Sequence, residues 1–181
     1  MSIIIIEGCD CAGKSTIAEL LSKKTGYKIV KGSSFQISEL GGDGMYDHMS
    51  KLLDRENIII DRFYMSNLVY GTLFDYPLMN YLQFDELADK TSKNALMVYV
   101  TASEEKIKNR MMARGDDMIK SENVRSILEK YDEVLSSNLG QSLALNINTS
   151  NISKEEMPLA VSMILEFSNN VETKMFLKRK L

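Results

Sequence analysis

A chain of 181 residues, 44% hydrophobic and 26% charged, reads as an ordinary soluble sequence, long enough for one well-buried core and too short for two comfortable domains. Its formal net charge of −3 gives no overall reason for a nucleic-acid or membrane partner. No apolar run approaches a membrane span and no basic leader precedes the first apolar segment, so the expected location is the cytoplasm.

The first predicted strand, Ile3–Glu7, holds four isoleucines and runs straight into G-C-D-C-A-G-K-S, Gly8 to Ser15. An amphipathic helix pattern follows, with Ile17, Ala18, Leu20 and Leu21 apolar. Strands are predicted next at Tyr27–Val30, Asn57–Asp61, Leu96–Thr101 and Leu143–Asn148. The unbroken run Ile58–Ile60 suits a strand covered on both faces, as in a parallel sheet. A helix is predicted over Met45–Asp54, and another from Ser103, Glu104 and Glu105 to about Arg114, with Gly115 placed to end it. Val124, Ile127, Leu128, Tyr131, Val134 and Leu135 share one helical face, and Ser153 with Glu156 forms a capping box before the last helix. Three segments stand apart: Lys31–Gly44 as a long loop with room for a short helix, Thr72–Asn80 with Pro77, and the charged link Arg114–Ser121. The tail K-M-F-L-K-R-K-L reads as a packed or frayed helix end rather than a membrane anchor. Strand–helix alternation opened by such a loop predicts a doubly wound α/β domain with right-handed crossovers, ligands lying beyond the carboxyl ends of the strands.

The loop carries the chemistry. Gly8 and Gly13 let successive backbone N–H groups of Gly8, Cys9, Asp10, Cys11, Ala12, Gly13, Lys14, Ser15 and Thr16 turn toward an anion. Lys14 adds a mobile positive charge for β/γ-phosphates, and the Ser15 hydroxyl can ligate Mg²⁺. Cys9 and Cys11 are too close for a structural disulfide and lack the further ligands that zinc needs. They read as tolerant loop positions, with a redox-sensitive loop as the alternative, because a thiol near Lys14 and a helix N-terminus can have a lowered pKa. No N-K-x-D motif of a GTPase is present, and no D-x-x-G switch lies beyond the phosphate loop. The third strand ends Asp61-Arg62, where an ATP-driven motor would end Asp-Glu. Arg at that point suits a second phosphorylated ligand, since its planar fork binds phosphate oxygens bidentately.

I-I-E-G-C-D-C-A-G-K-S-T, D-R-F-Y-M-S-N-L-V-Y and R-M-M-A-R-G-D-D together resemble thymidylate kinases and their deoxynucleoside-kinase relatives, from the first strand to the helix around Tyr131, in a compact viral or phage-type form. The resemblance implies a P-loop NTPase fold of three α/β/α layers on a five-stranded parallel sheet, with one kinase domain over residues 1–181 and a short lid at about 110–122. It implies ATP and Mg²⁺ as cofactors, a small-molecule nucleotide acceptor and a homodimer. Asp10 would then meet the acceptor sugar hydroxyl, Lys14 and Ser15 the ATP phosphates and Mg²⁺, and Thr16 the helix start. Asp61 would orient Mg²⁺ through water, and Arg62 would hold the acceptor phosphate. Ser66, Asn67 and Tyr70 fall where the family lines its base pocket, with Tyr70 either stacking on the base or packing in the core. Arg110 and Arg114 correspond to lid arginines that close over the transferring phosphoryl group, supplying the charge that other members place in the loop at the position of Cys11.

One departure bears on the acceptor. After the second strand the family carries either an F-P-x-R-like stretch, for a phosphate acceptor, or a glutamate base, for a sugar hydroxyl. This chain reads K-G-S-S-F-Q-I-S, offering Lys31 as the local cation and Phe35 as a ring for the base. A phosphate acceptor is already anionic and needs cations, whereas a hydroxyl benefits from a carboxylate base. Lys31, Arg62, Arg110 and Arg114 favour the first, while Asp10 and Asp61 could serve the second. His48 reads as a partly exposed helix residue, and Met45, Tyr46 and Met49 mainly as core. The expected function is Mg-ATP-dependent phosphoryl transfer to a deoxynucleoside monophosphate, most simply dTMP. The alternatives are a hydroxyl acceptor (a deoxynucleoside, or a modified base in a nucleic acid, which the acidic charge disfavours) and a nucleotide-binding regulatory protein.

Overall fold

The four isoleucines of β1 (Ile3–Glu7) are all but fully buried, each contributing roughly 1.5–3 kcal/mol through the water it sheds. The computed structural model describes residues 3–115 and 120–178. After β1 come α1 (Lys14–Thr25), β2 (Lys28–Lys31), α2 (Phe35–Ser38), α3 (Gly41–Leu52), β3 (Ile58–Asp61), α4 (Tyr64–Phe74) and α5 (Tyr81–Asn94). They are followed by β4 (Leu96–Thr101), α6 (Glu104–Arg114), α7 (Val124–Ser136), β5 (Leu143–Asn148) and α8 (Met157–Lys178). The strands pair in parallel in the order β2-β3-β1-β4-β5, with Ile4 level with Ile59 on one side and Leu96 on the other.

Strand pleating divides the core in two. Ile3, Ile5, Ile58, Ile60, Met97 and Tyr99 face Met45 and Met49 of α3, Met65 and Val69 of α4, Leu87 of α5, and Ile127 and Tyr131 of α7. Ile4, Ile6, Ile59, Val98 and Val100 face Ile17 and Leu21 of α1 with Val161 and Ile164 of α8. The result is the three-layer α/β/α arrangement of a P-loop protein, with the carboxyl ends of β1, β3 and β4 along one edge. No helix among the described residues is long and apolar enough to cross a membrane.

Small departures from the sequence expectation have local causes. Tyr27 belongs to the turn after α1, its N–H donating to Thr25 Oγ1 and its carbonyl accepting from Ser22 Oγ, so β2 starts at Lys28. Asn57 adopts a left-handed φ of 56°, which delays β3 to Ile58. Within Lys31–Gly44 the short helix for which the loop had room is α2, capped by Ser34, but α3 starts at Gly41, four residues ahead of the expected Met45. An Asn80–Gln83 capping box launches α5, which the apolar pattern alone did not single out. Ser103 caps α6 and Gly115 ends it, as expected. Ser153 and Glu156 exchange their two capping bonds one residue ahead of α8. Residues 116–119 of the expected lid and 179–181 of the basic tail lie outside the described residues.

Candidate active site

The loop between β1 and α1 is built by close approach. Gly8 takes φ 138°, and a Cβ there would run into the carbonyl oxygen of Val100 on β4. Gly13, at φ 106°, caps α1 without a side-chain hydrogen bond, and no acidic residue occupies the first turn of α1. The helix therefore presents its unneutralised positive end, with its first N–H groups, to whatever anion the loop receives. Lys14 Nζ donates to the Cys9 carbonyl at 2.7 Å, while Ser15 and Thr16 are exposed. Burial, helped by nearby Arg62, lowers the Lys14 ammonium to about 8. A cavity of about 550 Å³ runs over this loop, lined also by Asp61, Arg110, Arg114, Ile152, Lys154 and Met157.

Arg110 is committed to the loop and to the turn after β5. Its guanidinium donates to the Cys11 carbonyl at 3.1 Å and to Thr149 Oγ1 and carbonyl oxygen, both at 2.9 Å. Thr149, fully buried, donates its hydroxyl to the Ala12 carbonyl at 2.7 Å. Thr149 thus braces the loop from 137 residues away in sequence, and the only early signal for it was its place just past a strand end.

At the end of β3, acids and cations pair across strands. Lys31 Nζ binds Asp61 Oδ2, whereas Asp61 Oδ1 is buried without a hydrogen-bond partner. Asp61 and Arg62 therefore form no pair with each other. Arg62 turns in the left-handed region at φ 63°, a conformation costing a non-glycine residue about 1–2 kcal/mol. Its guanidinium reaches Asp10 Oδ1 at 2.5 Å and the Gly8 carbonyl at 3.2 Å, and lies 4.8 Å from the centre of the Tyr70 ring. Tyr70 donates its hydroxyl to Asp10 Oδ2 at 2.7 Å. Burial alone would raise the Asp10 carboxyl, but Arg62, Lys14 and the Tyr70 hydroxyl hold it below the usual carboxylate value. Beneath Arg62, Glu7 is fully buried and its carboxyl raised by that burial, with Ser66, Arg62 and Phe63 offsetting part of the shift.

A second cavity of about 290 Å³ opens on the other side of Arg62, lined by Ser33, Ser34, Phe35, Ser38, Ser66, Asn67, Tyr70, Gly71 and Tyr76. Phe35 packs edge-on against Tyr76, ring centres 5.8 Å apart, and makes one wall. The two cavities share Asp10, Lys31, Arg62 and Arg114. Asn67, expected on the base, uses its amide on the protein: Nδ2 donates to the Pro77 carbonyl at 3.0 Å and Oδ1 accepts from Met79 N at 3.4 Å. His48, half-buried on α3, hydrogen-bonds the Lys31 carbonyl through Nε2 at 2.9 Å, and Met45 and Met49 are core. Glu7, Tyr76, Tyr131 and Thr149 were not singled out as site residues from sequence, because their partners are remote in the chain.

The cysteines separate by burial. Cys9 is sealed under the loop and its thiol pushed up to about 11, by burial first and then by Asp10, which removes the lowered pKa that a redox role would need there. Cys11 is half-exposed. Iodoacetamide at pH 8 should therefore label Cys11 and spare Cys9 until the chain unfolds, as peptide mass spectrometry would show. Equal labelling of both thiols in the folded protein would contradict this.

A two-cavity site on a phosphate loop at the strand ends of a parallel sheet is the arrangement of a P-loop protein. The chain belongs to the domain family described as an AAA domain, whose model matches residues 4–130. The chain is 45% identical over 137 residues to the SPbeta prophage-derived uncharacterized protein YorR of Bacillus subtilis (strain 168), covering 75% of this chain and 83% of that protein. The crystal structure of YorR from Bacillus subtilis in complex with phosphorylated GDP superposes with a TM-score of 0.81 at 40% identity, over 93% of this chain and 98% of that one. Thymidylate kinase from Candida albicans, at 18% identity over 93% of this chain and 92% of that one, has a TM-score of 0.58 and shares the fold. So does deoxyadenosine kinase from M. mycoides with bound dCTP, at 20% identity and a TM-score of 0.56, over 91% of this chain and 99% of that one.

Proposed function

We propose that the protein is a Mg-ATP-dependent kinase of deoxynucleoside monophosphates, with dTMP the simplest acceptor. The observation that carries this reading is the meeting of the two cavities at Asp10, Lys31, Arg62 and Arg114, three cations and one acid at a single seam. The triphosphate lies along the loop, its phosphates on the first turn of α1 and on Lys14. The acceptor lies in the smaller cavity, its base against Phe35 and Tyr76 and its phosphate at Arg62. In-line attack at the seam then needs only positioning and neutralisation of charge.

The state of Asp10 supports a phosphate acceptor over a hydroxyl. A hydroxyl must lose its proton to a carboxylate, yet both Asp10 oxygens are engaged, one by Arg62 and the other by Tyr70. Glu7 is sealed beneath the site. Ser15 and Asp61 both line the larger cavity, and Asp61 Oδ1 is buried without a hydrogen-bond partner; their oxygens suit a hard, oxygen-seeking ion, so they would hold Mg²⁺, directly or through water. Bound there, Mg²⁺ would supply charge neutralisation to the donor phosphates. Phosphorylated GDP in YorR supports a nucleotide ligand here and puts dGMP on the acceptor panel beside dTMP.

The test is labelled ATP with a panel of the four deoxynucleoside monophosphates and their nucleosides. Label transfer to one or more monophosphates, and not to the matching nucleoside, is the expected result. Transfer to nucleosides alone would move the acceptor to a hydroxyl, and acceptor-independent hydrolysis alone would replace the kinase with a nucleotide-binding regulator.

A further inference from the structure

Glu7 closes β1 one residue before the phosphate loop and is fully buried, so it reaches neither cavity. Its carboxylate instead gathers the start of α4. One oxygen accepts from Phe63 N at 2.8 Å and from Ser66 N at 3.1 Å, while the other accepts from Ser66 Oγ and, at 3.4 Å, from the Tyr131 hydroxyl of α7. α4 has no capping side chain of its own, so Glu7 caps it from across the sheet. The residue just before these captured N–H groups is Arg62, whose own N–H donates to the Ile6 carbonyl at 2.9 Å. Both peptide N–H groups flanking the left-handed turn are thus fixed by the last two residues of β1.

The side chains continue the same chain of contacts. Ser66 Oγ donates its single proton to Glu7 and accepts from Arg62 Nη1 at 3.4 Å, with the Tyr131 hydroxyl at 2.8 Å. The direction is Arg62 to Ser66 to Glu7, and it needs an acceptor at the far end. We infer that Glu7 is a positioning residue for the acceptor: through Phe63, Ser66 and the turn at Arg62 it aims the guanidinium at the seam of the two cavities. This rests on the monophosphate-acceptor reading above.

Glutamine in place of Glu7 fills the same space and can still accept from the two backbone N–H groups. Its amide NH₂ cannot accept from Ser66, however. The serine proton is then turned toward the Tyr131 hydroxyl, which loses Glu7 as its acceptor, and the new amide N–H competes with Arg62 for the lone pairs of Ser66. A packing role survives this change and a positioning role does not.

Steady-state kinetics of Glu7→Gln, Arg62→Ala and the double variant decide the matter. Glu7→Gln should raise KM for the monophosphate about tenfold while KM for ATP moves less than about twofold, and in the Arg62→Ala background the same change should add less than about twofold. Equal rises in both KM values, or fully additive effects, overturn the inference. If Glu7→Gln fails to fold, Ser66→Ala cuts the side-chain link while leaving both Glu7–backbone hydrogen bonds in place, and the same split is expected at a few-fold size and only while Arg62 is present; no split, or one that persists in the Arg62→Ala background, overturns the inference. A wild-type enzyme that uses only nucleosides defeats the acceptor reading, and the KM split for that nucleoside still decides the role of Glu7. With no acceptor turned over at all, urea unfolding of the same four proteins decides it: independent, additive stabilities overturn the coupling, and non-additive ones sustain it.

Discussion

Lys14→Ala should lower the rate of phosphoryl transfer by about 10²–10³-fold with every acceptor, because the developing charge between the β- and γ-phosphates loses its mobile cation. Retention of more than about a tenth of wild-type kcat would remove Lys14 from the chemistry. The structure adds that this loss comes without a loss of stability. A buried ammonium held at about 8 disfavours folding, since its ordinary value is 10.5. Below pH 8 both folded and unfolded chains carry the proton and the burial cost stands in full. Between pH 8 and 10.5 the folded chain has shed a proton that the unfolded chain still holds, so stability rises with pH. Lys14→Ala should leave Tm at pH 7 equal to or above that of wild type and erase the rise at alkaline pH, a comparison that thermal scans at pH 7 and pH 9.5 would read. The charge in the free enzyme should also titrate near pH 8, so kcat/KM for the triphosphate falls above that pH.

Arg62→Ala should raise KM for a monophosphate acceptor by about 10–100-fold, the equivalent of one lost charge-assisted hydrogen-bonding group. An unchanged KM would sink the acceptor-phosphate role. Here stability falls as well, by about 1–3 kcal/mol, because Asp10 loses its strongest partner while remaining largely enclosed. The pH dependence separates this from general damage. Asp10 has a lowered pKa in the folded chain, so its stabilising contribution is present above the ordinary carboxylate value of 3.8 and fades as pH falls through the lower folded value. The stability gap between wild type and Arg62→Ala should be widest near neutrality and shrink in acid, as urea titrations at pH 7 and pH 3 would show. Arg62→Lys should recover part of the KM effect and less of the stability, since a point charge cannot serve Asp10, the Gly8 carbonyl and the Tyr70 ring together.

Local signals carried the sequence reading far. The isoleucine runs of β1 and β3, the glycines of the loop and the caps at Ser103 and Ser153 act over a few residues, and the fold follows from them. The site was legible to the same depth. The residues expected near the phosphates do gather, but their pairing was out of reach. Nothing local says that Asp10 bonds Arg62, 52 residues away, or that Lys31 rather than Arg62 takes Asp61. Nor could spacing show that Asn67 would spend its amide on Pro77 and Met79, because that loop's course depends on the packing of α3 and α5. Glu7 is the clearest case: its carboxylate accepts from four groups on three residues, all between 56 and 124 residues downstream.

The brace at Thr149 has a consequence for how the protein comes into being. The phosphate loop leaves the ribosome well ahead of the residues that hold it, since the carbonyls of Ala12 and Cys11 are held by Thr149 and by Arg110, itself anchored on Thr149. A further 137 residues beyond Ala12 must therefore be translated before the loop acquires all its supports. A nascent chain halted short of β5 would display the whole motif with the Ala12 carbonyl unheld and Arg110 without its anchor. A fully braced phosphate loop is thus something the protein gains late in synthesis, when its edge strand arrives.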